Sequence, residues 1–276
     1  MRKIFIISFS LIFFSGSSNA AFNDPIWVKS EIGSFKNYEV QVFNNYDTGE
    51  GYFEIFKNGK SIYREDGFAF KIGLIHDNKT IAMGMDITGD GIPDLVVSEW
   101  TGGAHCCFKF HIFEIGRTFK KIAVLDGGDE LGSHFEDINN DKKLEFITRD
   151  WTFQYWKTDF AASPAPRVIL RYSKGKYSIA EDLMFKPGPE RAEFRKKAKE
   201  IKSEKSWRKG NPPPVLWGYM LDLIYTGHED LALKFIKLAW PVDVTGQDEF
   251  LKEFREQLAT SPYWPQIQEM NKRYSK

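Results

Sequence analysis

Dispersed disulfides, a bilayer-spanning segment and an excess of charge of one sign are all missing from this chain. Its two cysteines, Cys106 and Cys107, are sequence neighbours, so a bridge between them closes no long loop and the fold must be held by its core. No stretch approaches the ~20 consecutive apolar residues that cross a bilayer. Lysine plus arginine equals aspartate plus glutamate at 38 each, which excludes the broad positive field that draws proteins to nucleic acid. The one local exception, Glu190 to Lys209, carries nine basic and four acidic residues. It reads as a solvated helix laced with pairs such as Glu193 with Lys197 and Lys196 with Glu200.

What is present begins with a leader. Arg2 and Lys3 precede the apolar run IFIISFSLIFF, and SGSSNAAF follows with small residues at Ser18 and Ala20. This is the pattern of a secretory signal cleaved after Ala20 or Ala21. No cysteine stands at that point to carry a lipid anchor. The expectation is an exported chain, periplasmic or secreted, with no transmembrane segment once the leader is removed. The remainder is long enough for one large core or two small ones, and 16% aromatic residues argue for thick sheet packing.

The hydrophobic period divides the remainder. From Trp27 to Asp182, short runs such as YEVQVFNN, GYFEIFKNGKSIYRE, CCFKFHIFEI and RVILRYSKGKYSIA alternate with Gly, Asn and Asp, and KNGK at Lys57 to Lys60 signals a tight hairpin turn. After Pro187 and Pro189 the pattern becomes helical. Residues 190 to 207 hold no Gly or Pro, and three prolines precede a helix predicted from about Val215 to Tyr225. Thr226 with Glu229, and Thr245 with Asp248, are spaced as capping boxes. Leu231, Phe235 and Leu238 are predicted on one buried stripe, Phe250, Phe254 and Leu258 on another, and Ser261-Pro262 opens a last helix. The predicted fold class is α+β: a leader at 1–20, an all-β region at 21–186 and a small helical bundle at 187–276.

Two loops carry chemistry. In MDITGDGIPDLVVSEW, Asp86, Asp90 and Asp94 crowd three carboxylates into one turn. Such loops bind Ca²⁺ through alternate side-chain oxygens and one carbonyl, here Asp86, Thr88, Asp90, the Ile92 carbonyl and Asp94, with Gly91 at the sharp bend. Every donor is oxygen, which favours calcium over zinc or copper. The Glu expected at position 12 of a helix-flanked loop is absent, and the loop runs into a strand instead. About fifty residues on, DINNDKKLEFITRDW repeats the spacing as Asp137, Asn139, Asp141, the Lys143 carbonyl and Glu145. There Lys142 replaces the bending glycine, and two lysines lower the demand for a cation. For both loops the competing reading is an Asx turn without metal.

DITGDGIPDLVV resembles the calcium loop of FG-GAP repeats (FG-GAP/VCBS-like, the integrin α-chain type of β-propeller unit). The resemblance implies that Asp86, Thr88, Asp90, Ile92 and Asp94 ligate Ca²⁺ and that the strand beginning near Asp94 belongs to one blade. The sequence departs from the family at Thr88 and Lys142. The β region has room for about three units, fewer than the usual propeller ring, so an incomplete, propeller-like assembly covered by the helices is predicted. A second segment, GGAHCC, resembles uncharacterised bacterial exported proteins, and no activity comes with that likeness.

Strand parity through TGGAHCCFKFHIFEIG sends Cys106, Phe108, Phe110 and Ile112 to one face and His105, Cys107, Lys109 and His111 to the other. His111 lies about 13 Å beyond Cys107 on a straight strand, so these residues alone close no zinc site. Adjacent Cα atoms about 3.8 Å apart strain a vicinal bridge. A Cys106–Cys107 disulfide, two free thiols, and an intermolecular bridge or bound metal all stay open.

Catalytic chemistry has only scattered material: Cys107 with His105, Asp129 or Glu130 with His134, or Glu99 and Asp150 as an acid and base beside tryptophans. An envelope hydrolase of glycan or peptide is therefore the alternative function. The favoured one is a binding or structural protein with a protein or glycan partner, because aromatic side chains supply rigid contact area. Trp100 and the run RDWTFQYW are the predicted ligand surface; an extended strand there would alternate Trp151, Phe153 and Tyr155 against Trp156.

Overall fold

The computed structural model describes residues 27–74, 81–103, 107–128, 132–207 and 212–274. The predicted leader lies outside them. Among the described residues, twelve strands form three four-stranded antiparallel sheets, each a meander of consecutive strands. The first sheet holds β1 (Val28–Phe35), β2 (Tyr38–Asn44), β3 (Gly51–Lys57) and β4 (Lys60–Gly67). Period-two alternation works plainly in its central strands: Tyr38, Val40, Val42, Phe53 and Ile55 point inward and the residues between them do not. The predicted turn joins β3 to β4, with Asn58 and Gly59 at φ 52° and 74° and Lys57 paired with Lys60, as a primed turn requires.

The second sheet comprises β5 (Ala69–Ile72), β6 (Asp94–Trp100), β7 (Phe108–Ile115) and β8 (Phe119–Gly128). Both its faces are covered. Leu95, Val97, Phe113 and Ile115 enter the core shared with the first sheet, whereas Val96, Phe110 and Ile112 enter the core shared with the third sheet and the helices. That explains why DLVV is continuously apolar: a strand buried on both sides has no solvent face on which to alternate. The third sheet contains β9 (His134–Glu136), β10 (Glu145–Arg149), β11 (Arg167–Ser173) and β12 (Lys176–Ile179). Contacts run from β1, β2 and β3 to β5, from β8 to β10 and β12, and then from β11 and β12 to helices. Among the described residues the sheets therefore form a row, not a closed ring.

Six helices follow among the described residues: α1 (Glu181–Met184), α2 (Arg191–Lys202), α3 (Pro214–Tyr225), α4 (Glu229–Ala239), α5 (Gln247–Leu258) and α6 (Trp264–Tyr274). Phe146 and Val168 from the third sheet share one core with Trp217, Met220, Phe235 and Phe250, each large side chain worth about 1.5–3 kcal/mol of burial. Phe250, Phe254 and Leu258 are buried as the spacing predicts. Leu238 is 43% exposed, and the buried stripe of α4 runs through Ala232, Phe235, Ile236 and Ala239 instead. The helix caps also differ from expectation. The Thr226 hydroxyl donates to the Asp222 carbonyl at 2.7 Å, closing the end of α3, while α4 and α5 start at His228 and Gly246 with no side-chain cap. Threonine bonds back to a free carbonyl as readily as forward to an amide, and spacing alone does not say which. Neither predicted ion pair of α2 forms among the described residues. No helix among them is long and apolar enough to cross a membrane.

Candidate functional site: two acidic loops and a cavity

The two acidic loops occupy the same place in successive sheets, joining the first strand to the second (β5 to β6, and β9 to β10). Four amide-to-carboxylate contacts recur in both, and the first loop adds bonds from the Gly89 N–H to Asp86 and from the Thr88 N–H to Asp94. Asp86 accepts from the N–H of Asp90 at 3.2 Å and of Gly91 at 2.9 Å; Asp137 accepts from Asp141 and Lys142, each at 3.0 Å. Asp90 accepts from Ile92 at 2.9 Å, and Asp141 from Lys143 at 2.9 Å. The carboxylate that opens the strand accepts from the residue after the leading aspartate: Asp94 from Ile87 at 3.0 Å, Glu145 from Ile138 at 3.2 Å. The bend residues Gly91 and Lys142 both sit at positive φ, 85° and 70°. Lysine therefore adopts the left-handed conformation there, at a cost of about 1 kcal/mol. The Leu144 N–H donates to the Ile87 carbonyl at 3.0 Å, and the Lys143 stem lies directly over Gly89, so the loops are packed against each other.

Their last carboxylates differ. Asp94 is 1% exposed, and its Oδ1 is buried with no hydrogen-bond partner. Burial pushes its carboxyl up to about 7, with Asp90 adding to the rise and the Thr88 and Ile87 bonds opposing it. The nearby Tyr177 hydroxyl is also buried without a partner, and its ionisation is pushed up first by burial and then by the Asp94 charge. An orphaned buried carboxylate oxygen is what a missing cation would leave. The donors beside it (Asp86, the Thr88 hydroxyl, Asp90 and the Ile92 carbonyl) are all oxygen, so the first loop fits calcium. Among the described residues no three His, Cys, Asp or Glu side chains are gathered closely enough to hold an ion unaided, and the neutral donors Thr88 and Ile92 are needed to complete a shell. Glu145 in the second loop is fully buried, and its free oxygen accepts from Arg171 Nε at 2.8 Å. The second loop does not fit a cation at that atom.

Past Arg149, which ends β10, the run DWTFQYW forms no strand. The Asp150 carboxylate accepts from the Thr152 N–H at 2.8 Å, curling the chain into a succession of turns, and Tyr155 and Lys157 take positive φ. Phe153 is 1% exposed and belongs to the core; Trp156 packs against Trp217 and Phe250. Tyr155, 57% exposed, and Trp100, 37% exposed, remain at the surface. Trp151 stacks on Phe160 with ring centroids 5.3 Å apart.

Beside Trp151 lies a cavity of about 550 Å³, lined among others by Cys107, Lys109, Asp126, Arg149 and Tyr263. It opens where the second and third sheets meet the connection between α5 and α6. Cys107 is disulfide-bonded; the chain's other cysteine, Cys106, lies outside the described residues, as do His105, Asp129 and Glu130. The seam is pinned by Asp150, 3% exposed, which accepts from the Tyr225 and Ser261 hydroxyls as well as from Thr152. Burial and the Asp150 charge both push Tyr225 up.

The scattered catalytic candidates are not assembled among the described residues. Glu99 is bonded to His111 at 2.9 Å in the core between the first and second sheets, where His111 contacts Phe53 and Phe70. Asp150 lies in the other core, saturated by hydroxyls and amides. His134 is tied to the Gly132 carbonyl and Glu136. Arg171 carries no local signal for its bond to Glu145, 26 positions away, and Asp150, named as a candidate acid, draws its two hydroxyl partners from Tyr225 and Ser261, 75 and 111 positions away.

No family model and no solved structure matches this chain. A probable thylakoid lumen protein from Synechocystis is 32% identical over 97 residues, 34% of this chain and 28% of that protein. An uncharacterised protein from Sinorhizobium fredii is 34% identical over 82 residues, 29% of this chain and 12% of that protein. The chain thus spans less than a third of the length of these curated relatives.

Proposed function

We propose that this chain is an exported binding protein of the cell envelope, stiffened by one Ca²⁺ in its first acidic loop, and that the cavity beside Trp151 takes an acidic glycan. Export is supported by the leader pattern and by the likeness to a probable thylakoid lumen protein of Synechocystis. Three consecutive four-stranded meanders, two of them carrying an acidic loop between their first and second strands, support an FG-GAP-like, propeller-type repeat. Asp86, Thr88, Asp90, the Ile92 carbonyl and Asp94 would hold the ion. Calcium there supplies fixed positive charge and rigidity; the residues themselves fix where β6 begins.

The cavity carries the ligand assignment. Trp151 and Tyr263 offer apolar ring surface; Lys109 and Arg149 bring positive charge to walls that also carry Asp126 and Asp150, whose carboxylates already accept from the Gly128 N–H and from Thr152, Tyr225 and Ser261. Aromatic platforms beside basic donors suit a sugar ring bearing a carboxylate. The test is intrinsic tryptophan fluorescence of the mature protein titrated with uronic-acid oligosaccharides and, in parallel, with neutral sugars and acidic peptides. Saturable quenching by the uronates that Trp151→Ala and Lys109→Glu each abolish is the expected result. A response to acidic peptides alone, or none to any of the three, refutes the glycan assignment.

A further inference from the structure

We infer that Arg171 is a built-in counter-cation that takes the place of calcium in the second acidic loop, so that the chain binds metal at one loop and carries its own positive charge at the other. The inference rests in part on the calcium reading of the first loop, and it turns on one position of the sheet. In the second sheet Asp94, the last carboxylate of its loop, is paired across to Glu114 on β7. In the third sheet Phe146 is paired to Leu170, which places Arg171 on β11 at the corresponding position across from Glu145. The same place in two successive repeats therefore holds opposite charges.

The consequences are visible in the bonding. Glu114 is buried and reaches only the long, exposed Lys120, at 3.5 Å, and Asp94 Oδ1 is left with no partner. Arg171 Nε lies 2.8 Å from Glu145 Oε1, and the far side of its guanidinium is clamped by Asp182 at 3.0 and 3.2 Å. The planar fork is thereby fixed between two carboxylates, an arrangement lysine would not reproduce. The charge of Arg171 also reaches Asp141, which is held below the usual carboxylate range first by the Lys143 N–H and the Asn139 amide. Other positions differ as well, Thr88 against Asn139 and Gly91 against Lys142 among them, but Arg171 is the cation that touches the last carboxylate itself.

The experiment is calcium titration by calorimetry of the chelator-treated mature protein, together with thermal melting with and without millimolar calcium chloride. Wild type, Arg171→Gln, and the charge-balanced Arg171→Met/Glu145→Leu pair are compared. Wild type is expected to bind one calcium. Arg171→Gln is expected to melt lower in chelator, to regain that loss in calcium, and to bind one ion more than wild type. The double variant is expected to keep the wild-type stoichiometry and to need no calcium at the second loop. Two ions bound by wild type, or an Arg171→Gln protein that gains no ion and that calcium does not restore, overturns the inference. No ion in wild type but one in Arg171→Gln upholds it while refuting the calcium reading of the first loop.

Discussion

Asp94 offers the sharpest test of the electrostatics. Its carboxyl is raised to about 7 by burial, against about 3.9 in an unfolded chain. A raised carboxyl contributes stability that is fully present below the unfolded value and is lost as pH climbs through the folded one. With 1.36 kcal/mol per unit, the full loss in the metal-free protein is about 4 kcal/mol, of which about 3 kcal/mol falls between pH 5 and pH 8. Asp94 is 1% exposed, so solvent screening does not reduce this much. Asp94→Asn keeps an acceptor for the Ile87 and Thr88 amides but cannot ionise. After about 1 kcal/mol for a buried NH₂ without a partner, it should leave the variant about 3 kcal/mol more stable than wild type at pH 8 in chelator. In saturating calcium the order reverses, because the ion stabilises the wild-type carboxylate and the variant has lost a charged ligand. Urea melts at pH 5, 6, 7 and 8, in chelator and in calcium, measure all of this. A wild-type stability flat across that range in chelator, or a variant no more stable than wild type at pH 8, refutes the reasoning that Asp94 is an uncompensated buried acid.

Other expectations follow from single contacts. Asp150→Ala removes the acceptor shared by Tyr225, Ser261 and Thr152 and should cost about 2–4 kcal/mol in denaturant melts, with loss of Trp151-dependent fluorescence. Trp217→Ala, in the core shared by the third sheet and the helices, should cost about 3–5 kcal/mol, whereas Tyr155→Ala at the surface should change stability by less than about 0.5 kcal/mol. Gly91→Ala meets open space but must hold φ 85°, so it should cost about 1 kcal/mol by melting; Gly89→Ala should cost more, because its added carbon also displaces the Lys143 stem.

The parts of this molecule legible in the sequence are those governed by short-range chemistry. KNGK becomes a hairpin because Asn and Gly tolerate positive φ, and the two acidic loops share much of their internal bonding because aspartates at fixed spacing capture the amides of their own turn. Phe250, Phe254 and Leu258 line one face of α5 because helical periodicity is local. The errors arise where two local solutions compete. RDWTFQYW has strand composition, yet Asp150 captures the Thr152 amide and receives hydroxyls from α3 and from the start of the α5–α6 connection, and the chain curls. Thr226 has an equal claim to cap forward or backward.

Order of elements, alternation and the all-oxygen loops were thus settled by the sequence alone, since backbone geometry and nearest neighbours suffice for them. Whether a loop needs a cation was not, because the deciding charge sits across the sheet: Glu114 opposite Asp94, Arg171 beside Glu145. The cavity beside Trp151 likewise exists only once β7, β8, β10 and the α5–α6 connection have converged. Coulomb interaction and burial depend on distance through space, and only the tertiary structure brings those residues together.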